Sequence, residues 1–195
     1  RRRDHGIGQD GINEVLVEQA RAGRNVVRLK GGDPFIFARG GEEIEALAEA
    51  GFDCIVVPGI TAALGAASYA GIPLTHRSYA STVAFVTGHE DRSKGNGDVD
   101  WKTIAGIGTL VFLMAMRNLP HIVATLTAEG KDPATPAALI RRGATPDQET
   151  LISTLSNIVR ALRPGGVVEG TVEDLHRRLL AANFPDSLLS RLEPQ

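Results

Sequence analysis

The chain has little of what would staple it or seat it in a membrane. It holds one cysteine, Cys54, among 195 residues, so no intrachain disulfide can form, and a reducing compartment suits it. Aromatic residues make up 5%, which leaves Val, Ile, Leu and Ala to build the core. Neither sign of charge dominates: 21 Lys and Arg against 23 Asp and Glu give a formal net charge of −2. Without a basic field, nucleic-acid binding is not expected. The uncharged run Cys54 to Thr75 reaches the length of a membrane span. Pro58, Gly59, Gly65, Gly71 and Pro73 interrupt it, however, and its middle is Ala and Gly rather than Leu. A strand, a turn and a tightly packed helix fit it better. Arg1, Arg2 and Arg3 lead into polar residues and glycines, so no secretory leader is expected and the cytoplasm is the expected compartment.

The five histidines, His5, His76, His89, His121 and His176, fall at no metal-ligand spacing, and no metal site is expected. Neither a Walker A loop nor a G-x-S-x-G elbow occurs. Gly6-Ile7-Gly8-Gln9-Asp10-Gly11 matches the dinucleotide pattern G-x-G-x-x-G, but only Arg1 to His5 precede it, and they are not strand-like. The pyrophosphate mechanism needs a strand there, so the match is read as a loop and a helix entry.

What is present alternates. Helical spacing is expected over Ile12 to Ala22, Gly41 to Ala50, Ile60 to Ala70 and Leu119 to Glu129. Strands are expected at Asn25 to Lys30, Cys54 to Val57, Ser81 to Thr87, Thr109 to Ala115 and Pro136 to Ile140. Glu90 to Asp100 reads as a polar loop, Glu149 to Leu162 as mixed, and Thr171 opens a last helix. The class is therefore α/β with mostly parallel sheets. A boundary is expected at Arg77 to Ala80, dividing the chain into domains 1–79 and 80–195.

Two turns stand at strand ends, where α/β sheets present ligands. In Gly31-Gly32-Asp33-Pro34, two glycines allow close approach to the backbone, and Asp33 can accept from an ammonium or a ribose hydroxyl. The same residues also suit a plain strand-to-helix turn capped by Asp33. Pro58-Gly59-Ile60-Thr61-Ala62 repeats the arrangement, with Thr61 equally suited to cap the next helix. Two such turns on adjacent strands favour a shared crevice. Met114, within TLVFLMA, reads as core when taken alone.

At these residues the chain resembles the tetrapyrrole methylases. The strings VVRLKGGDPFIFARGGEE (Val26 to Glu43), VPGITAALGAASYAGIPLTHR (Val57 to Arg77) and VAFVTGHE (Val83 to Glu90) carry the likeness, from about Gly8 to about Ile158. Within the family they are most similar to the uroporphyrinogen-III C-methyltransferases. The resemblance implies two α/β domains with S-adenosylmethionine in the cleft between them, a homodimer, and two successive methylations of a tetrapyrrole to give precorrin-2 on the route to sirohaem and cobalamin. By motif position it assigns cofactor contacts to Gly31, Gly32, Asp33, Ile36, Thr61, Ala62, Met114 and Gly143. Uroporphyrinogen's eight carboxylates need cations, and Lys30, Arg39, Arg77 and Arg117 lie near the motifs; each also suits a solvated surface.

The chain departs from the family pattern in three places. The family's opening strand, Gly-Pro turn, aspartate and proton-transferring lysine have no counterpart, so the first domain is expected to be incomplete and no catalytic residue is assigned. Ala38 replaces a glycine before Arg39, and Arg163 to Gln195 does not align. A family-derived binding module without catalysis, or a methyltransferase for a later precorrin, are the alternatives.

Overall fold

The computed structural model describes residues 7–89 and 99–159. Its elements run α1 (Gln9–Arg21), α2 (Gly40–Glu49), α3 (Ala62–Tyr69), β1 (Val83–Thr87), α4 (Trp101–Ala105), β2 (Thr109–Leu113), α5 (Leu119–Ala128), β3 (Pro136–Arg141) and β4 (Glu149–Thr154). The class is α/β. The helix expected from Thr171 lies outside the described residues, as does most of the loop expected at 90–100. Two compact units result, Arg1–Ala62 and Ala63–Gln195. The division falls before the expected 77–80 boundary because α3 packs within the second unit, its Ala66 lying directly against Gly143.

In the first unit, α1 buries Leu16 and ends at Gly23, whose φ of +71° reverses the chain without a Cβ penalty. The α2 helix stops the same way at Gly51. The expected strands at 25–30 and 54–57 are not strands: among the described residues no neighbour forms a ladder with either. Their apolar side chains stand in the open, with Val27 87%, Leu29 86% and Ile55 95% exposed. The apolar pattern was legible, but a strand exists only where a second chain segment takes up its amides.

In the second unit β1 and β2 pair in parallel, Val83 opposite Thr109 through Thr87 opposite Leu113. The intervening α4, which the sequence reading missed, is capped by Asp100, whose carboxylate accepts from the Thr103 amide and hydroxyl. β3 and β4 pair antiparallel, Pro136 opposite Thr154 through Arg141 opposite Glu149. The short connection at 142–148 sets that sense, since a parallel crossover needs a dozen or more residues, while the β1–β2 pair is parallel as expected. The core gathers Ala105, Ile122, Val123, Leu126, Leu155 and Ile158, with Trp101 stacked on Phe112 beside it. Burying these side chains at α5 and the adjoining elements supplies the apolar free energy that orders the unit. Lys131 ties the α4 exit down by donating to the carbonyls of Ala105 and Ile107.

Candidate functional site

The turn at Gly31–Pro34 closes on itself and on the turn at Pro58–Ile60. Asp33 Oδ1 accepts from the Phe35 amide at 2.9 Å, the two-residue loop an aspartate forms with its own backbone. Its Oδ2 accepts from the Gly59 amide at 3.1 Å. The amides of Phe35 and then Gly59 hold the Asp33 carboxyl below its ordinary range. Gly32 has φ +76°, and a Cβ there would point at the Ile60 carbonyl and Thr61 Cα, 3.7 and 3.8 Å away. Gly59 has no room for any side chain, because Gly32's own carbonyl oxygen occupies that space. The structure thus brings Gly31, Gly32 and Asp33 together with the turn leading to Thr61 and Ala62. Thr61 is buried, and Ala62 starts α3.

Beyond Asp33 the chain presents Phe35, Ile36 and Phe37 to solvent, then takes left-handed backbone at Phe37 (φ 52°) and Arg39 (φ 59°). Non-glycine residues in that region store strain, and such strain gathers where a backbone is shaped for a ligand. The Asp33 carboxylate also faces the Ile36 amide, and Phe35, Ile36 and Phe37 follow it in the chain with exposed apolar side chains. A glycine backbone, an anionic acceptor and an apolar wall suit a small zwitterion carrying a flat heterocycle.

In the second unit the ends of β1 and β2 meet at Gly88 and Ala115, so close that Gly88 admits no Cβ. Asn118 Nδ2 donates to the Gly88 carbonyl at 2.7 Å and fixes this edge. Between them Met114 has φ 58° and is 58% exposed, which corrects the core reading of that methionine. It follows β2 at the carboxyl edge of the parallel pair, where ligands bind in open sheets. Gly143 lies between two more left-handed residues, Arg142 (φ 52°) and Ala144 (φ 61°). A Cβ on it would run into Ala66. Gly143 therefore has a packing duty in addition to any ligand contact.

The four cations expected to meet substrate divide into two kinds. Lys30 Nζ is bound to Glu43 Oε2 at 2.6 Å and is 11% exposed at its side chain, so it is spent internally. Arg39 makes a two-point pair with Glu42, at 2.9 and 2.6 Å. Each side chain holds the other in its charged form, but both are exposed and such pairs stabilise little. Arg77 and Arg117 are exposed and enter no ion pair among the described residues.

Sequence reading missed the role of Glu43, which it placed only as a first-turn carboxylate. Burial pushes the Glu43 carboxyl up. The hydrogen bonds from Lys30, Gln9 and Arg28 together outweigh it and hold the carboxyl below its ordinary range. The alternation Arg28, Lys30 was the available signal, because residues two apart share a face of an extended segment.

The family model of the Tetrapyrrole (Corrin/Porphyrin) Methylases matches residues 1–159. A siroheme synthase of Pseudomonas fluorescens (strain Pf0-1) is 50% identical over 186 residues, covering 92% of this chain and 40% of the relative. That coverage reaches past Ile158, into the stretch the motifs left unaligned. A siroheme synthase of Pseudomonas putida (strain F1) is 53% identical over 159 residues, with 81% and 34% covered. The chain spans about 40% of the length of the curated relatives it matches. Among solved structures, the uroporphyrin-III C-methyl transferase of Thermus thermophilus complexed with S-adenosyl homocysteine is 37% identical with a TM-score of 0.69, covering 80% of this chain and 69% of that one. A cobalt precorrin-4 methyltransferase, 22% identical with a TM-score of 0.72, shares the fold. Among the described residues no helix is long and apolar enough to cross a membrane.

Proposed function

The chain belongs to the tetrapyrrole (corrin/porphyrin) methylases, and from that premise we propose that it carries out S-adenosylmethionine-dependent C-methylation of uroporphyrinogen III to precorrin-2. The observation that carries this reading is the Asp33 clasp. One carboxylate closes two glycine turns onto each other and keeps acceptor capacity in reserve. Gly31, Gly32, Asp33, Ile36, Thr61 and Ala62 form the first part of the cofactor site in this proposal, and Met114 and Gly143 the second.

The cofactor, when bound, supplies an activated methyl group on a sulfonium. The chain's own residues do the rest. The clasped turn gives a side-chain-free backbone for the amino-acid end, Asp33 accepts from its ammonium or from a ribose hydroxyl, and Ile36 adds an apolar wall. Holding the substrate carbon in line with the methyl and sulfur is the chief demand, since the group is already reactive. The ring carbon that gains the methyl becomes fully substituted, so the positive charge is discharged by a proton leaving elsewhere on the macrocycle, and no residue of this chain is assigned to take it. Arg77 and Arg117, exposed and outside internal ion pairs among the described residues, are the proposed partners of the substrate's carboxylates. Lys30 leaves that role because Glu43 holds it, and Arg39 could serve only by exchanging Glu42 for a substrate carboxylate. A homodimer in the cytoplasm is part of the same proposal.

Calorimetric titration of the chain with S-adenosylhomocysteine tests the cofactor half, and turnover of uroporphyrinogen III with radiolabelled methyl donor tests the reaction. Micromolar binding with label entering the tetrapyrrole is expected. A folded chain that binds no S-adenosylhomocysteine makes it a family-derived module without catalysis. Binding with label entering only a later precorrin reassigns the substrate.

A further inference from the structure

We propose that Glu43 is a positioning residue: a buried carboxylate that fixes Lys30, and thereby sets the Gly31–Asp33 turn against the Pro58–Ile60 turn. This rests on the reading of those turns as the cofactor site.

Glu43 is 5% exposed, one of two buried polar or charged residues among the described ones. Three side chains from two segments converge on it. From α1, Gln9 Nε2 donates to Oε1 at 3.3 Å. From the segment before the turn, Arg28 Nε donates to Oε1 at 3.1 Å and Lys30 Nζ to Oε2 at 2.6 Å. The carboxylate itself rides on α2, in the first turn, where the helix dipole favours it.

A buried ion pair of this kind is poor evidence for stability, because desolvation offsets much of the attraction and a trio of apolar side chains would serve as well. What it supplies is direction. Arg28 and Lys30 are two residues apart and both turn toward Glu43, while Val27 and Leu29 between and before them face solvent. A slip of one residue along this segment would send Leu29 to the carboxylate and Lys30 to water, so the pairing fixes the register. Among the described residues no strand ladder pins 25–30, which leaves Glu43 as a fixed anchor for it. Lys30 is the last residue before Gly31. Three residues on, Asp33 reaches the Gly59 amide, and Gly32's carbonyl packs where Gly59 has no side chain. Only Gly31 and Gly32 separate the anchor from the clasp, and neither has a side chain of its own to hold it.

The test reads the clasp directly. In Glu43→Gln, amide exchange at Gly59 in the ligand-free chain is expected to rise about tenfold, and affinity for S-adenosylhomocysteine to fall about tenfold. The exposed pair of the second unit gives a control, since Glu149→Ala should leave Gly59 exchange unchanged. Lys30→Met, which removes the ammonium and leaves Arg28 and Gln9 on Glu43, is expected to raise Gly59 exchange alike, which loss of the carboxylate's other bonds would not explain. Unchanged Gly59 exchange in a folded Glu43→Gln chain overturns the proposal, as does faster exchange with unaltered affinity. If Glu43→Gln fails to fold, Lys30→Met decides: a folded Lys30→Met chain with unchanged Gly59 exchange overturns it too. An unsubstituted chain that ignores S-adenosylhomocysteine sinks the methyltransferase reading instead, and Gly59 exchange still decides whether Glu43 sets the turn.

Discussion

Replacing Gly59 by alanine separates the two turns that the proposed cofactor site depends on. A Cβ at that position would overlap the Gly32 carbonyl oxygen, stand 3.0 Å from its carbon and 3.4 Å from Asp33 Cα. All three obstacles are backbone, so no side-chain rotation relieves them. Left-handed geometry plays no part, since the positive-φ glycines of this unit are Gly23, Gly32 and Gly51. The turns must part by on the order of 1 Å, and overpacking of this sort costs about 1–3 kcal/mol. For a chain of this size each kcal/mol moves the melting midpoint by about 2–4 °C. A drop of several degrees by circular dichroism is the expected result. The same parting stretches the 3.1 Å bond from the Gly59 amide to Asp33. Affinity for S-adenosylhomocysteine should then fall about tenfold, equivalent to about 1.4 kcal/mol. Gly31→Ala is the matched comparison, because nothing lies within 4 Å of its added Cβ and its backbone is not left-handed. Its melting midpoint should not move. Should Gly59→Ala melt with the unsubstituted chain and bind equally well, the close apposition of the two turns is wrong.

Three further outcomes follow from the same geometry. Gly143→Ala should destabilise the second unit by about 1–3 kcal/mol, because its Cβ would meet Ala66; adding Ala66→Gly should return most of the loss in a urea melt. Leu126, the one large side chain fully buried among the described residues, should cost about 2–5 kcal/mol on truncation to alanine, whereas a change below 1 kcal/mol would deny it a place in the core. Glu43, with its carboxyl held below the ordinary 4.5, contributes stability that is complete above that value and lost as pH falls through the folded one. The urea midpoint of the chain should thus decline on acidification below about pH 4.5, and more steeply than that of Glu43→Gln; parallel declines would show that the carboxylate is not paired as drawn.

How much of this was legible in the sequence depends on what each feature needs. The ends of α1, α2, α3 and α5 were found within a residue or two, because periodicity and glycine stops are local: Gly23 and Gly51 follow α1 and α2 at the left-handed positions their lack of Cβ predicts. The strand pattern at Val83–Thr87 and Thr109–Leu113 became a ladder because the two segments pair. The equally convincing patterns at 25–30 and 54–57 did not, since pairing is a property of two segments and among the described residues neither meets a partner. The turn at 142–148 set the antiparallel sense of β3 and β4 by its length, a signal that counting residues would have caught. Met114 reads as core from its neighbours, yet its left-handed backbone turns it outward, and no pattern of hydrophobicity encodes that. Lys30 reads from the sequence as an available cation, whereas its ammonium is paired with Glu43. Only the fold brings Glu43 across 13 residues to claim it.

Asp33 shows why a motif and its function are hard to separate by mutation. Its carboxylate accepts from the Phe35 and Gly59 amides, so the residue best placed to meet a ligand also builds the surface the ligand meets. Truncation to alanine leaves both amides without their acceptor, and any loss of binding then has two causes. Asparagine keeps one acceptor oxygen on the same stem, enough for either the Phe35 or the Gly59 amide but not both, and gives up the charge. A chain carrying Asp33→Asn that keeps Gly59 protected but loses affinity assigns the charge to the ligand. One that loses both assigns it to the clasp. The two glycine turns and the aspartate are thus one device of the fold, and reading Gly59 exchange beside affinity separates the clasp from the acceptor that the proposed site needs.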